Sequence, residues 1–241
     1  MKCPGQDTRY WKPGAIFEVR CPVCNEKVEF FKDDPKRTCR ACGHRFTNPR
    51  LDFGCAAYCP YGERCMPNVA TDTEIPLKDR VAVAMKRYFD KDFKRIGHAV
   101  KVADYAEKIC KETGGDLAVV LCAAYLHDIG IQEAERKYQS TAPRYQHQEG
   151  PPVAREILVD AGGGTDLIEE VCDIVGHHHH PRKHETLNFK IIYDADLIVN
   201  LEEKQEERHG VAEGLREIIE NRMFTEAGKR IARASLLETG L

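Results

Sequence analysis

The chain has 241 residues and a formal net charge of −3, with 42% apolar and 31% charged residues. That is enough chain for a sizeable core and too much apolar content for a disordered segment. The longest uncharged apolar run, Leu117 to Leu126, is about half what a membrane span needs, and the first residues do not read as a secretory signal. The reading is a soluble cytoplasmic protein with no membrane contact.

Charge and ligand chemistry are unevenly placed. Residues 1–70 carry 12 Lys/Arg against 8 Asp/Glu, and residues 71–241 carry 24 against 31. Eight of the 11 cysteines are Cys3, Cys21, Cys24, Cys39, Cys42, Cys55, Cys59 and Cys65, whereas nine of the ten histidines follow residue 97. Clustered cysteines without a secretion signal read as thiolate metal ligands rather than disulfides. The division is therefore a Cys-rich module over 1–70 and a larger His-rich domain over 71–241.

In the front module, Cys21-Pro-Val-Cys24 and Cys39-Arg-Ala-Cys42 are two CxxC pairs with 14 residues between them. Asn25 and Gly43 follow them, and both tolerate the left-handed backbone that a turn around thiolates requires. Val28 to Phe31 reads as a strand and Asp33-Asp34-Pro35 as a turn. The pattern predicts a zinc ribbon over 17–48, with Zn²⁺ on the four cysteines and His44 on the surface.

Cys55, Cys59 and Cys65 are one thiolate short of a closed site, which Cys3 completes if the N-terminus folds back. This spacing fits a 4Fe–4S cluster or a second Zn²⁺. The module is a structural staple or a protein-docking unit; Arg37, Arg40, Arg45 and Arg50 give it a means of touching nucleic acid, and a labile cluster a means of sensing redox state.

From Pro76 onward the pattern is helical. Apolar residues recur at three- and four-residue spacing over 77–89, 96–109, 152–159, 167–175, 189–203 and 226–237, the last capped by Thr225, while 117–126 is apolar nearly all round. The fold expected is mainly α. His98 opens one helix, and His127-Asp128 ends the buried one. His147 precedes Gly150, His177 to His180 ends another helix, and Asp194 and Asp196 lie on an apolar run. Polar groups projected from a core helix need partners, and a cation is a good one. Cys110, Cys122 and Cys172 lie on apolar helices and read as core thiols.

Segment 95–199 resembles the HD superfamily of metal-dependent phosphohydrolases. The resemblance rests on His98, on His127-Asp128 within Ala124-Tyr125-Leu126-His127-Asp128-Ile129-Gly130, and on Asp196, in that order. His147-Gln-Glu-Gly150 and Ile174-Val175-Gly176-His177-His178 resemble the extra histidine elements of its two-metal members. It implies an all-helical fold in which His98, His127, Asp128 and Asp196 hold one divalent ion, and iron, manganese or another divalent metal suits such ligands. Asp128 then bridges to a second ion on His147 and on His177, with His178 the next choice.

His179 and His180 are expected to be exposed, Asp194 to orient a ligand from behind, and Arg95 and Lys101 to steady a phosphate. Arg144, Arg155, Arg182 and Lys183 flank the later histidines. The activity implied is hydrolysis of a phosphate monoester or diester, with a small nucleotide-like substrate. A di-iron oxygenase using the same ligands, and a non-catalytic sensing domain, are the alternatives. The Gly-Tyr-Pro element of the cyclic-dinucleotide branch is replaced by Pro181-Arg182-Lys183, and its lysine after Gly130 by Ile131.

Overall fold

The computed structural model describes residues 16–31, 34, 36–49, 75–208 and 214–237. Cys3, Cys55, Cys59 and Cys65 lie outside the described residues, and so does the second cysteine set with its fold-back.

The described residues of the front module form two antiparallel hairpins. Strand β1 (Ile16–Arg20) pairs with β2 (Lys27–Phe31), placing Phe17 opposite Phe30 and Val19 opposite Val28. Strand β3 (Lys36–Thr38) pairs with β4 (Arg45–Thr47), placing Arg37 opposite Phe46. Their core is small: fully buried Phe30 stacks on Phe17 and meets the edge of Phe46 at 5.3 Å. The side-chain amide of Asn48 donates to the carbonyls of Phe31 and Asp34, tying the end of β4 to the turn after β2.

The described residues after 75 are mainly helical: α1 (Leu77–Phe89), α2 (Phe93–Thr113), α3 (Leu117–Leu126), α4 (Ile131–Tyr138), α5 (Pro143–Asp160), α6 (Thr165–Val175), α7 (Leu187–Arg208), α8 (Leu215–Arg222) and α9 (Glu226–Leu237). The apolar α3 lies at the centre, packed on α1, α2, α6 and α7. Asp116 starts it by accepting the amides of Ala118 and Val119. Asp92 starts α2 in the same way through the amide of Arg95. The stretch Leu117–Tyr138 has the length and composition to cross a membrane, but it is broken between α3 and α4 by a turn at 127–130 and is 67% buried in the helical core.

Two helices, α4 and α8, go beyond the periodicity in the sequence. Each buries two residues among its eight, Ile131 and Ala134 in one and Leu215 and Ile219 in the other, too few to establish a period. The third difference is α5, which the sequence starts at Pro152 but which runs unbroken from Pro143 through Pro151 and Pro152. His147 is thereby a helical residue. Gly130 and Gly150 let the start of α4 cross α5 backbone to backbone: a Cβ on Gly130 would lie 2.5 Å from the nitrogen of Gly150. That crossing brings His147 to the end of α3.

Candidate metal centre

His98 on α2, His127 and Asp128 just past α3, and Asp196 on α7 converge. The Nε2 of His98 lies 3.1 Å from Oδ1 of Asp196 and 3.9 Å from Oδ2 of Asp128. The Nε2 of His127 lies 3.4 Å from Asp128 and 3.6 Å from Asp196. The ring orientations are set from behind. The Nδ1–H of His127 donates to the carbonyl of Ala124 at 2.8 Å, leaving Nε2 aimed into the cluster. The Nδ1 of His98 is held at 3.1 Å by Glu203, and Asn200 donates to Asp196 Oδ1 at 2.8 Å.

A second group stands on the far side of Asp128. Oδ1 of Asp128 is 3.5 Å from Nε2 of His178, whose Nδ1–H donates to the carbonyl of Val175. The rings of His147 and His178 meet edge to face at 5.1 Å, and donor atoms of His147, His178 and His179 lie within 4.8 Å of one another. Among the described residues, the buried Nε2 atoms of His127, His147 and His178 and Oδ1 of Asp128 have no hydrogen-bond partner. Unsatisfied buried donors and acceptors are costly. Four of them converging here fit one or two divalent cations, and the imidazole–carboxylate set suits iron or manganese.

The electrostatics divide the cluster. Burial opposes charge on His127 and His98, but Asp128 and Asp196 hold both imidazoles above their usual range, and His127 well above it. Against the same burial, His127, His98 and His178 hold the two carboxyls well below theirs. On the other side, burial and neighbouring imidazoles press His147 down to about 3 and His179 to about 4, which keeps their lone pairs free.

The expected second-site ligands need correction. His177 points away: its Nδ1 bonds the carbonyl of Asp173, its Nε2 faces Glu185, and its ring stacks on Phe189. The reason is rotational, since neighbouring residues at a helix end point about 100° apart; His178 takes the place given to His177. His179, expected to be exposed, is half-buried in the cluster, whereas His180 is exposed with its ring 5.2 Å from that of His147.

Asp194 orients no ligand. Fully buried, it accepts the amides of Phe224 and Thr225 and the Thr225 hydroxyl, and Thr225 Oγ1 in turn caps α9 through the amide of Gly228. Arg95 is taken by Asp92 and Glu135, so its guanidinium ties α2 to α4. Lys101 is half-buried one turn beyond His98. Arg155 pairs with Glu169, Arg182 pairs with Asp173, and Arg144 lies over Tyr145. Cys110, Cys122 and Cys172 are buried free thiols. Glu203, Asn200 and Glu185 were not singled out from the sequence. Asn200 and Glu203 stand four and seven residues after Asp196, on its face of α7, and that spacing is the available signal.

In the front module, Cys21 Sγ lies 3.6 Å from Cys42 Sγ, and Cys24 Sγ lies 3.5 Å from Cys39 Sγ. All four sulfurs are within 4.8 Å of one another. Tetrahedral Zn–S bonds of about 2.3 Å place sulfurs about 3.8 Å apart, so the set fits zinc. The two knuckles are alike: the amides of Asn25 and Gly43 donate back to the carbonyls of Cys21 and Cys39, with φ of 62° and 74°. Despite burial, the amides of Cys24 and Val23 draw the Cys21 thiol down to about 7. Against the amide of Glu26, the neighbouring sulfurs and burial push Cys24 up to about 12. Four sulfurs this close could share one metal ion between them.

Residues 95–201 match the family model of the HD domain. The chain is also similar to the crystal structure of a predicted HD superfamily hydrolase from an uncultured Thermotogales bacterium. The two are 21% identical, the match covers 64% of this chain and 81% of that one, and the TM-score is 0.47. No curated protein matches the chain.

Proposed function

We propose that the helical domain, residues 71–241, is a metal-dependent phosphohydrolase cleaving a phosphate monoester or diester of a small nucleotide-like molecule. The observation that carries the reading is Asp128, whose two oxygens face two separate groups of imidazoles with unsatisfied nitrogens. His98, His127, Asp128 and Asp196 would hold one ion; Asp128, His147 and His178 would hold the other, with His179 as a further donor. Bound iron or manganese would activate water near neutral pH and neutralise charge on the phosphoryl oxygens.

The residues of this chain do the rest. Ala124, Val175 and Glu203 fix ring orientation, so that Nε2 of His127, His178 and His98 faces the cluster. Asp128 and Asp196 supply the negative charge that neutral imidazoles lack. Asn200 holds Asp196 Oδ1 in place.

We read the four-cysteine set as a zinc site that staples the front module. Docking of protein or nucleic acid on that module, and an iron–sulfur cluster or second zinc on Cys3, Cys55, Cys59 and Cys65, belong to the same proposal. Clustered thiols suit a reducing compartment, and the cytoplasm is the location we assign.

The test is turnover of a chromogenic phosphodiester by protein loaded with Mn²⁺ or Fe²⁺, alongside Asp128→Ala. Metal-dependent release by the wild type alone supports the reading. Oxygen consumption without ester cleavage would move the site to oxygenase chemistry, and a metal-loaded protein that does neither would make it a sensing domain.

A further inference from the structure

The turn between α6 and α7, residues 176–186, carries His178 and His179 and is clasped around a different histidine. His177 is 8% exposed and takes no part in the cluster. Its Nδ1–H donates to the carbonyl of Asp173 on α6 at 2.5 Å, its ring stacks on Phe189 of α7 at 4.6 Å, and its Nε2 faces both carboxylate oxygens of Glu185 at 3.2 Å. The Glu185 side chain is 4% exposed, and its Oε1 also accepts the backbone N–H of Arg182. The Arg182 guanidinium returns to the Asp173 carboxylate at 2.8 and 3.1 Å. The amide of His180 donates to the carbonyl of His177 at 2.7 Å.

These contacts join both ends of the turn at one imidazole. A buried carboxylate is expensive unless its oxygens are partnered, and both partners of Glu185 lie in this turn. Successive side chains cannot share a direction. With the ring of His177 locked toward Asp173 and Glu185, His178 is directed to Asp128, where its Nε2 stands 3.5 Å from Oδ1.

We propose that His177 and Glu185 are a positioning pair that locks this turn and presents His178 and His179 to the second half of the metal centre without ligating. The proposal rests on the metal-centre reading above. Partners that orient ligands from behind typically contribute about 10–100-fold to metal affinity.

The experiment is a Mn²⁺ titration of the full chain, with stoichiometry and affinity read by electron paramagnetic resonance. Wild type is expected to take up two Mn²⁺ in the helical domain. Glu185→Ala should keep the first ion and weaken the second by about 10–100-fold. Glu185→Gln should bind both as wild type does, because its amide group keeps a polar contact with His177 Nε2 while its oxygen still accepts from Arg182. Rescue by glutamine separates orientation from bulk.

Should Glu185→Ala fold poorly, the paired change His177→Phe with Glu185→Met removes both polar partners at once, which buried sites tolerate. It should melt near wild type and lose the second ion selectively. A second ion held normally by that pair or by Glu185→Ala, while His178→Ala loses it, overturns the clamp and leaves the metal centre standing. A wild type that binds no Mn²⁺ removes the metal centre, and the clamp with it.

Discussion

Oδ1 of Asp128 lies 3.5 Å from Nε2 of His178, while Oδ2 of the same carboxylate lies 3.4 Å from Nε2 of His127. One side chain therefore serves both halves of the cluster, and among the described residues no other carboxylate does. Asp128→Ala should lower the metal content of both positions together. Turnover should fall at least about a thousandfold, equivalent to about 4 kcal/mol of transition-state stabilisation. Elemental analysis beside phosphodiester turnover checks both parts. Full metal content with near-normal turnover in the variant would refute the bridging role.

His147 belongs to one half alone. Its Nε2 is buried without a hydrogen-bond partner, and its ring packs against His178 and His179. His147→Ala should spare the ion held by His98, His127 and Asp196 and remove the other. Activity should drop without vanishing, by about one to three orders of magnitude, because one Lewis-acid contact is typically worth several kcal/mol. His180 is exposed, and His180→Ala should change metal content little even though its ring touches that of His147. If His180→Ala costs more than His147→Ala, the assignment of the histidine run is wrong.

The ligand-bearing residues were legible in the sequence because the chemistry forces unusual residue types into apolar surroundings. His127-Asp128 after a helix buried nearly all round, and Asp196 within an apolar run, both stand out in this way. The rotation of the histidine run was not legible, because four identical residues carry no phase information. Glu185, which sets that phase, lies eight residues after His177 in a segment without periodicity. Asp194 misled for a related reason. A buried acid two residues from Asp196 resembles a ligand's partner, yet its own partners on 224–225 are 30 residues away in sequence. Short α4 and α8 were missed because two buried positions define no helical face.

The same face of α7 that carries Asp196 carries its support. Glu203 holds Nδ1 of His98 and Asn200 holds Asp196 Oδ1. Glu203→Ala should weaken the first ion by about 10–100-fold while leaving the second in place. A Mn²⁺ titration that weakens both ions equally, or neither, would show that Glu203 does not act through His98.

Asp194 leads to a stability prediction rather than a metal one. It satisfies two backbone amides and a hydroxyl in a fully buried position, and through Thr225 it anchors the start of α9. Asp194→Ala leaves those donors without a partner, at about 1–3 kcal/mol for each unsatisfied group before relaxation. The net loss should be about 2–4 kcal/mol, read from denaturant melts. Metal content in the surviving folded fraction should be unchanged. Selective loss of metal at unaltered stability would return Asp194 to the role expected of it from sequence.

The front module owes its order to four sulfurs more than to its core. Among its described residues the buried apolar ones are Cys21, Val28, Phe30 and Cys39, with Phe17, Val19 and Phe46 packed around them. So small a cluster cannot offset the entropy of ordering two hairpins, and modules of this size depend on metal or disulfide staples. Structural zinc supplies about 10–16 kcal/mol in small zinc-binding peptides at neutral pH, enough to decide folding. Cys24→Ser removes one of the four donors and leaves Cys39 without the sulfur 3.5 Å away. The variant should lose one zinc per chain, and limited proteolysis should then cut within residues 16–49. The helical domain keeps its own core around α3, so its melting transition should not move and its phosphodiester turnover should stay within about twofold of wild type. Zinc retained at full stoichiometry with unchanged protease resistance would show that the four cysteines are not what holds the hairpins together.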